Sequence, residues 1–406
     1  MAEPASEKYL TNTQVYLLAI ACGAAVANAY YVHPIVSTIE TQFNLPEGQV
    51  GIVPALNQIA LAVGILLLLP LGDFLSNRIL TSVTAFGQFL SIAVMAFAER
   101  FEVFLIASTI LGFMTIAPYL LPAYASKRVA PDRLGYVTAV LTTGVILGIL
   151  LARGGAGIVA EYFGWRTVYM LGAGLMLIVS ILLPLIMEPR QARAKTESKQ
   201  SYFGLIGSLV PLMREKPAIL TTGFIQMGNF GLFISLWMGI GLHLPSEEMG
   251  FGVDTVGYLS MLTAINLFIT PMLGSWADRV GARRARFLMA MIQVVGVSLL
   301  FVTGHSLWLM IIPILLINLP GPVIDIAGRM TFLSEDPEVR TRLMTIYIVM
   351  MFIGGGLASW AGTLAYAAGG WIGNALVNAG LSALVIGLSW WSWQSGRDVD
   401  GAQSRR

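Results

Sequence analysis

The residues most able to do chemistry are three ionisable side chains that interrupt long apolar runs: His33, Arg153 and Asp325. Placing a charged side chain at the centre of a bilayer costs about 2.5–3.5 kcal/mol on insertion scales, so such residues are functional candidates. Imidazole and carboxylate groups can carry protons, whereas a guanidinium binds carboxylates or carbonyl oxygens. The sequence therefore predicts a site that handles protons, an anionic group or both.

Each of these residues has a competing interpretation. Asp325 is a candidate proton carrier, yet Arg329 follows it by four residues, which is the spacing of an ion pair on one helix face. His33 is the second proton-coupling candidate, and the alternative is a structural or rim histidine beside Pro34. Arg153 either binds a substrate or pins helices together, and both roles require it to face the protein interior.

Uncharged polar and aromatic residues in the same runs are candidates to line a cavity, because a site between helices needs hydrogen-bonding groups. Phe230 and Trp237 would add an apolar wall, and Pro118 and Pro122 predict a broken helix around Tyr119. Ordinary packing between helices is the alternative for each residue. With Arg153, the cavity candidates are Asn28, Tyr31, Asn57, Tyr119, Gln226, Asn229, Asn266 and Asn318.

The elements that position these residues follow from composition. Of the 406 residues, 56% are hydrophobic and only 11% are charged, against roughly 25% charged in soluble domains. A bilayer-spanning helix needs about 20 mostly apolar residues, and the runs lack the alternation of barrel strands. The sequence thus predicts an all-α integral membrane protein with twelve transmembrane helices, near 15–37, 51–72, 79–98, 101–123, 134–160, 165–187, 217–243, 254–277, 285–304, 307–329, 342–368 and 371–394.

The distribution of basic residues predicts the orientation. With twelve spans, 21 of the 24 Lys and Arg residues fall on the side that holds both termini, and only Arg100 and Arg166 fall on the other. Short loops rich in Lys and Arg stay in the cytoplasm. We therefore expect both termini to be cytoplasmic in a cell membrane, which for a bacterial protein is the inner membrane.

Small residues repeat at a nearly constant offset along the chain. Gly148, Ala152 and Ala156 recur 206 residues later as Gly354, Ala358 and Gly362, and Gly164-Trp165 recurs as Gly370-Trp371. Such matches indicate two parallel repeats that could rock about a site near the middle of the membrane. The sequence predicts two pseudo-symmetric six-helix bundles, 15–187 and 217–394, with a cytoplasmic tail at 1–14, a linker at 188–216 and a tail at 395–406.

The stretch GSWADRVGARR, Gly274 to Arg284, resembles the cytoplasmic loop motif of the major facilitator superfamily. Its counterpart in the first half, LPLGDFLSNR, keeps Asp73 and Arg78 but has Leu69, Phe74 and Ser76 at positions where the motif has Gly, Arg and Gly. The resemblance implies the major facilitator fold and a gate whose charges pair as one side closes. The implied gating residues are Asp73, Arg78, Gly274, Asp278, Arg279, Gly281, Arg283 and Arg284.

Three other stretches are similar to bacterial drug:proton antiporter-type exporters of that superfamily. They are NAYYVHP from Asn28, GVILGILLARGGAG with the later GWRTVY, and RTRLMTIYIVMMFIGGGLASW from Arg340. The arginine that these exporters often carry early in the fourth helix is missing, because Ser108 or Thr109 occupies its place. The resemblance implies efflux, with proton coupling that must depend on other residues.

The sequence therefore favours a secondary transporter that exports small amphipathic molecules in exchange for protons. The alternative is an importer or facilitator of a metabolite such as an organic acid or sugar. We expect no enzyme activity, since the chain lacks metal-binding and nucleophile motifs. We also expect no cofactor, no metal and no nucleic-acid partner. The expected partners are a small-molecule substrate, protons and lipid, and a monomer should suffice because one chain holds both repeats.

Overall fold

A computed structural model describes residues 9–188, 202–332 and 335–403, leaving out the side chains of Asp73, Pro131 and 396–403. Throughout this part the regular structure is helical. The first half contains α1 (Asn12–Ala27), α2 (Val36–Gln42), α3 (Ile52–Leu68), α4 (Leu71–Phe74), α5 (Asn77–Phe97), α6 (Phe101–Met114), α7 (Ala117–Ser126), α8 (Leu134–Phe163) and α9 (Trp165–Ile186).

Two short helices, α10 (Tyr202–Gly207) and α11 (Leu209–Glu215), precede the second half. The second half contains α12 (Ala218–His243), α13 (Val253–Leu262), α14 (Asn266–Val280), α15 (Ala282–Thr303), α16 (Leu307–Asn318), α17 (Pro320–Met330) and α18 (Pro337–Gln403). The last of these is two helices joined at a kink, because Gly369 and Gly370 have non-helical backbone angles. Gly370 has a positive φ of 58°, which is accessible to glycine without strain.

Ten helical segments in the described residues are long and apolar enough to cross a membrane. The longest, Pro337–Ser395, doubles back at its kink, since Asn374 donates a hydrogen bond to the carbonyl oxygen of Gly362. With the shorter Asn12–Ala27, these segments account for the twelve predicted spans. The prediction of an all-α membrane protein is confirmed.

Several spans are interrupted, and the prolines beside Tyr119 predicted one of these breaks from the sequence. The predicted first span, 15–37, is helical only to Ala27, after which the chain turns through residues 28–35 before α2. The fourth span breaks between α6 and α7, as Pro118 predicts, since proline lacks an N–H and clashes with the preceding turn. The eighth and tenth spans also break, between α13 and α14 and between α16 and α17.

The charged residues divide the two ends of the bundle. We call the end that carries Arg128, Arg214, Lys216, Arg283 and Arg284 the basic end. The other, the acidic end, carries Arg100 and Arg166 against eight carboxylates: Glu40, Glu47, Glu99, Glu102, Glu161, Glu247, Glu248 and Asp254.

Each half is built on one very close helix pair. In the first half, a Cβ added to Gly148 of α8 would collide with the backbone of Gly23 on α1. In the second half, a Cβ on Gly354 of α18 would collide with the backbone of Met227 on α12. Small residues allow such approach, which strengthens van der Waals packing where lipid offers no hydrophobic driving force. The repeated small residues therefore mark equivalent helix pairs in the two halves.

The two halves meet at the acidic end. There the backbone N–H of Val253 on α13 donates to Oε2 of Glu161 on α8 at 3.0 Å, and Ser359 on α18 donates to the carbonyl oxygen of Gly51 at 3.3 Å. The α3–α18 contact extends towards the basic end through Leu61 and Ile346. In contrast, α14 packs mainly on α15 and α17 of its own half. The main partner of α8 across the interface is therefore α13, which Gly157 contacts at Val253 and Gly257.

The close approach of α1 and α8 makes a testable prediction. We expect Gly148→Ala to lower the free energy of unfolding by about 1–3 kcal/mol, because the added methyl group overpacks the interface. Gly155→Ala on the same helix is the matched control, since a Cβ there meets nothing within 4 Å. Thermal unfolding of the purified protein in detergent checks both variants, and equal melting temperatures would contradict the prediction.

Candidate functional site

The most unusual residue of the interior is Arg153, which is 3% exposed on α8. Its guanidinium carbon lies 5.1 Å from the ring centroid of Tyr30, 4.3 Å from that of Phe233 and 4.9 Å from that of Trp237. Tyr30 belongs to the first half, whereas Phe233 and Trp237 belong to α12 of the second. We call these three rings the arginine cage; they enclose a cation of one half with side chains from both.

Local structure positions each ring of the arginine cage. Tyr30 lies in the turn after α1, where its edge also contacts the ring of His33 at 5.1 Å. The indole N–H of Trp237 donates to Oδ1 of Asn318 at 3.1 Å, and Phe233 stacks on Phe230 at 5.8 Å. The cage is therefore held by the tenth span and by the aromatic side of α12 as well as by its own members.

Aromatic rings cover the faces of the Arg153 guanidinium, but one edge of the group has no hydrogen-bond acceptor from the described residues. Nε and Nη2 are buried without a hydrogen-bond acceptor among the described residues, and no carboxylate there lies within 4.0 Å. The nitrogens of His33, which is also buried, are similarly unpaired. Cation–π contacts contribute about 0.5–2 kcal/mol each, whereas an unpaired buried donor costs about 1–3 kcal/mol.

An aromatic row runs from the arginine cage towards the basic end. Phe233 stacks on Phe230, the ring of Phe352 meets Phe230 edge-on at 5.4 Å, and Tyr119 meets Phe352 at 6.0 Å. Tyr119 and Phe352 come from opposite halves. Phe230, Phe233 and Tyr119 are each partly exposed, so this row offers apolar surface between the halves.

Asp325 lies on α17 in an ion pair with Arg329. Nη2 of Arg329 is 3.0 Å from Oδ2 of Asp325, and Nε contacts both carboxylate oxygens at 3.0 and 3.1 Å. The hydroxyl of Tyr347 on α18 donates to Oδ1 of Asp325 at 2.9 Å. The side chains of Asp325 and Arg329 are 25% and 34% exposed, so the pair is only partly covered by the protein. The predicted i,i+4 pair is thus present, with the Asp325 carboxylate partly exposed.

Amide side chains form equivalent hydrogen-bond relays in the two halves. In the first half, Asn28 donates to Gln88 at 2.8 Å and Gln88 donates to the carbonyl oxygen of Met114 at 3.1 Å. Pro118 frees that carbonyl, because proline has no N–H to return to the residue four before it. Gln88 and the backbone N–H of Ile116, which donates at 2.9 Å, together satisfy the Met114 carbonyl within the bilayer, where water is absent.

In the second half, Gln293 donates to Oδ1 of Asn229 at 2.9 Å and to the carbonyl oxygen of Ile317 at 3.3 Å. Asn229 also donates to Gln226 and to the carbonyl oxygen of Gly321. Asn266 donates to the carbonyl oxygen of Asn318 at 3.2 Å, which Pro322 leaves without its helical donor. These predicted cavity residues therefore join a network that holds the broken tenth span.

Two predicted cavity residues lie away from the arginine cage. Asn57 donates to the carbonyl oxygen of Ser108 at 2.8 Å and so links α3 to α6. Tyr31 packs edge-on against Tyr169 at 6.2 Å and against Gly172 of α9. Both contacts are within the first half.

The residues of the predicted gating motif lie at the basic end. Asp278, Arg279, Arg283 and Arg284 are exposed, and within the described residues none of them has an ion-pair partner within 4.0 Å. Gly281 has φ +89° in the turn between α14 and α15, and a Cβ on Gly274 would meet only Ile326. Arg78 is half-buried at the start of α5, and the side chain of Asp73 lies outside the described part.

Sequence reasoning missed four residues of these networks: Phe233, Gln88, Gln293 and Arg286. Arg286 follows the exposed Arg283 and Arg284 in the sequence, yet it lies fully buried on α15 and donates to Ser392 at 2.7 Å and Thr222 at 3.4 Å. The signal for Phe233 was its helical spacing from Phe230 and Trp237, which places all three on one face.

Comparisons with known proteins agree with this architecture. A family model described as Major Facilitator Superfamily matches residues 18–332. A relative named "Uncharacterized transporter YgaY" from Escherichia coli O157:H7 is 28% identical over 396 residues, which is 96% of this chain and 98% of that protein. Multidrug resistance protein MdtG of Citrobacter koseri is 22% identical over 231 residues, 55% of each chain.

Among solved structures, a bacterial homologue of the human lysosomal transporter Spinster superposes with a TM-score of 0.74 at 13% identity. The match covers 95% of this chain and 96% of that chain. At this identity the likeness shows the fold alone.

The paired relays generate a prediction about stability. We expect Gln88→Leu and Gln293→Leu each to lower the free energy of unfolding by about 1–3 kcal/mol, because each leaves a buried amide group, that of Asn28 or that of Asn229, without a hydrogen-bond partner. Ser298→Ala on α15 is the control, since its exposed hydroxyl bonds only to Val294 of the same helix. Unfolding in mixed detergent micelles measures the effect, and control-like behaviour of both variants would contradict it.

Proposed function

Because this chain belongs to the major facilitator superfamily, and is therefore a secondary transporter rather than an enzyme, we propose that it exports small amphipathic molecules in exchange for protons. The mechanism is alternating access, in which two repeats rock about a central site. The cell membrane is the site of action, with both termini and the basic end in the cytoplasm. A single chain suffices, since it contains both halves.

The observation that carries this proposal is the unequal contact between the halves on either side of the arginine cage. Glu161 and Val253 join the halves at the acidic end, whereas α8 and α14 pack separately towards the basic end. Substrate entering from the basic end would reach Tyr119, Phe230 and Phe233 first. The exposed charges of the gating motif, Asp278 with Arg283 and Arg284 among them, are free to form pairs when that end closes.

Asp325 is the proposed proton carrier. It is partly exposed, it lies more than one helical turn inside α17, and Arg329 and Tyr347 hold it in place. Protonation would weaken its pairing with Arg329 and allow α17 and α18 to shift. His33 is the second proposed coupling residue, because its imidazole is buried beside the arginine cage.

The direction of transport is the part of the proposal that depends on similarity. The sequence resembles exporters, and MdtG, a more distant relative, is named a multidrug resistance protein. Import of an organic acid is the second candidate, and the unpaired edge of Arg153 favours it as an anchor for a carboxylate.

Everted membrane vesicles with an acid interior test the export proposal directly. A pH-sensitive dye reports the gradient while chemically varied compounds are added. We expect some amphipathic compounds to discharge the gradient only in vesicles that contain the protein. If labelled compounds equilibrate with no proton movement, proton-coupled export is wrong and a facilitator takes its place.

We expect Asp325→Asn to reduce substrate-dependent proton release at least tenfold, because an amide cannot carry the exchanged proton. Arg329→Gln breaks the same ion pair but keeps the carboxylate, so it should retain measurable release. Glu102→Gln, in the exposed pair with Arg100, controls for the loss of one charge. Equal loss in Asp325→Asn and Arg329→Gln would return Asp325 to a purely structural role.

We expect Glu161→Ala to open the acidic end more often, because it removes the acceptor that joins α8 to the start of α13. A cysteine at the buried position Val36, placed in a Cys22→Ser background, should then react faster with a membrane-impermeant maleimide. Glu47→Ala, an exposed carboxylate of the same end, is the control. Unchanged labelling in Glu161→Ala would show that this contact does not restrain the acidic end.

A further inference from the structure

We propose that Arg153 is the anchor for the carboxylate of an aromatic monocarboxylate, and that such molecules are the substrate class of this transporter. This inference rests on the proposed transport function. It narrows the substrate from amphipathic molecules in general to those that carry one negative charge beside an apolar ring.

The first step of the argument is the geometry of the free donors. Nε and Nη2 of Arg153 share one edge of the planar guanidinium, and these are the two atoms that are buried without an acceptor. A carboxylate has two oxygens at the matching separation and binds such an edge through two parallel hydrogen bonds. One bound carboxylate would therefore satisfy both donors at once.

The second step is charge. Arg153 is 3% exposed, and no carboxylate among the described residues lies within 4.0 Å of it. The rings of the arginine cage cover the cation but carry no net charge. A buried arginine that lacks a counter-ion favours an anionic ligand and repels a cationic one, and repulsion between like charges is strong where water is excluded.

The third step is the surface beside the anchor. Phe233 contacts the guanidinium and also stacks on Phe230, whose ring meets Phe352 of α18. An aromatic tail extending from the bound carboxylate would lie along this partly exposed row. Aromatic pairs gain about 0.5–1.5 kcal/mol beyond the burial of their area. The row thus favours a flat apolar tail over a sugar.

The assignment is compatible with the small number of charged residues in the spans. The scarcity of charges in the spans favours neutral, cationic or apolar substrates over polyanions. One unpaired guanidinium accommodates a single negative charge, so a monoanion remains compatible with that scarcity.

The test compares three probes of one shape and different charge: 2-naphthoate, 2-naphthamide and 2-naphthylmethylamine. Each labelled compound is equilibrated at neutral pH with the purified full-length protein in lipid nanodiscs, with no proton gradient. We expect 2-naphthoate to bind at least tenfold more tightly than the amide and the amine to bind most weakly. Equal binding of the three, stronger binding of the amine, or no binding of 2-naphthoate would overturn the proposal.

Two variants identify the anchor. Arg153→Gln should weaken 2-naphthoate binding at least tenfold and leave 2-naphthamide unchanged, whereas Arg153→Lys should fall between, because lysine keeps the charge but not the paired donors. Arg166→Gln is the matched control, since Arg166 also lies over a ring, that of Trp165 at 4.4 Å, but away from the interface between the halves. A preference for 2-naphthoate that survives Arg153→Gln would make Arg153 a structural pin.

The binding test does not depend on the result of the vesicle assay or on the variants. Should Arg153→Gln fail to fold, the ranking of the three probes on the unaltered protein still decides the proposal. Binding of 2-naphthoate without proton release would leave the anchor in place and reject proton-coupled export. Proton release with uncharged or cationic compounds alone would support proton-coupled export and reject Arg153 as a carboxylate anchor.

Discussion

The close contact of one helix pair in each half is the constraint on which the rest of the molecule depends. Gly23 and Gly148 bring α1 and α8 together, and Met227 and Gly354 do the same for α12 and α18. Since lipid is as apolar as the side chains, association must come from packing and from internal hydrogen bonds. These two pairs fix the walls on either side of the interface, and thereby place Arg153 opposite α12.

Backbone carbonyl oxygens inside the bilayer need hydrogen-bond donors, because water is absent there. This need explains several of the polar residues that the sequence assigned to a substrate cavity. Prolines break the fourth and tenth spans and leave carbonyl oxygens without helical donors. Gln88, together with the backbone N–H of Ile116, donates to the carbonyl oxygen of Met114, and Asn266 donates to that of Asn318. A break in a spanning helix is tolerated where neighbouring groups satisfy the freed backbone, so much of the amide content serves the fold. The binding surface that we propose is therefore confined to the arginine cage and the aromatic row.

The sequence was sufficient to predict the twelve spans, the repeat and the break near Tyr119, because these follow from hydropathy, fixed offsets and proline chemistry. It could not predict which side of each helix faces the other half. Asn57 and Tyr31 therefore entered the cavity set although they pack within the first half, and Phe233 was overlooked although its spacing from Phe230 and Trp237 places the three rings on one face of α12. Arg153 was recognised as buried, but its ring partners come from residues about 80 and 120 positions away in the chain.

The composition of the arginine cage has a consequence for how the protein is made. A ribosome delivers the first six spans to the membrane before α12 has been synthesised. At that stage Arg153 has only Tyr30 of its three ring partners, and Phe233 and Trp237 are still absent. The newly inserted first half must therefore hold a costly cation in an unfinished environment. The arginine cage is completed when the seventh span, α12, inserts and brings Phe233 and Trp237 to Arg153. Insertion of α12 is therefore the step at which the two halves first share the cage.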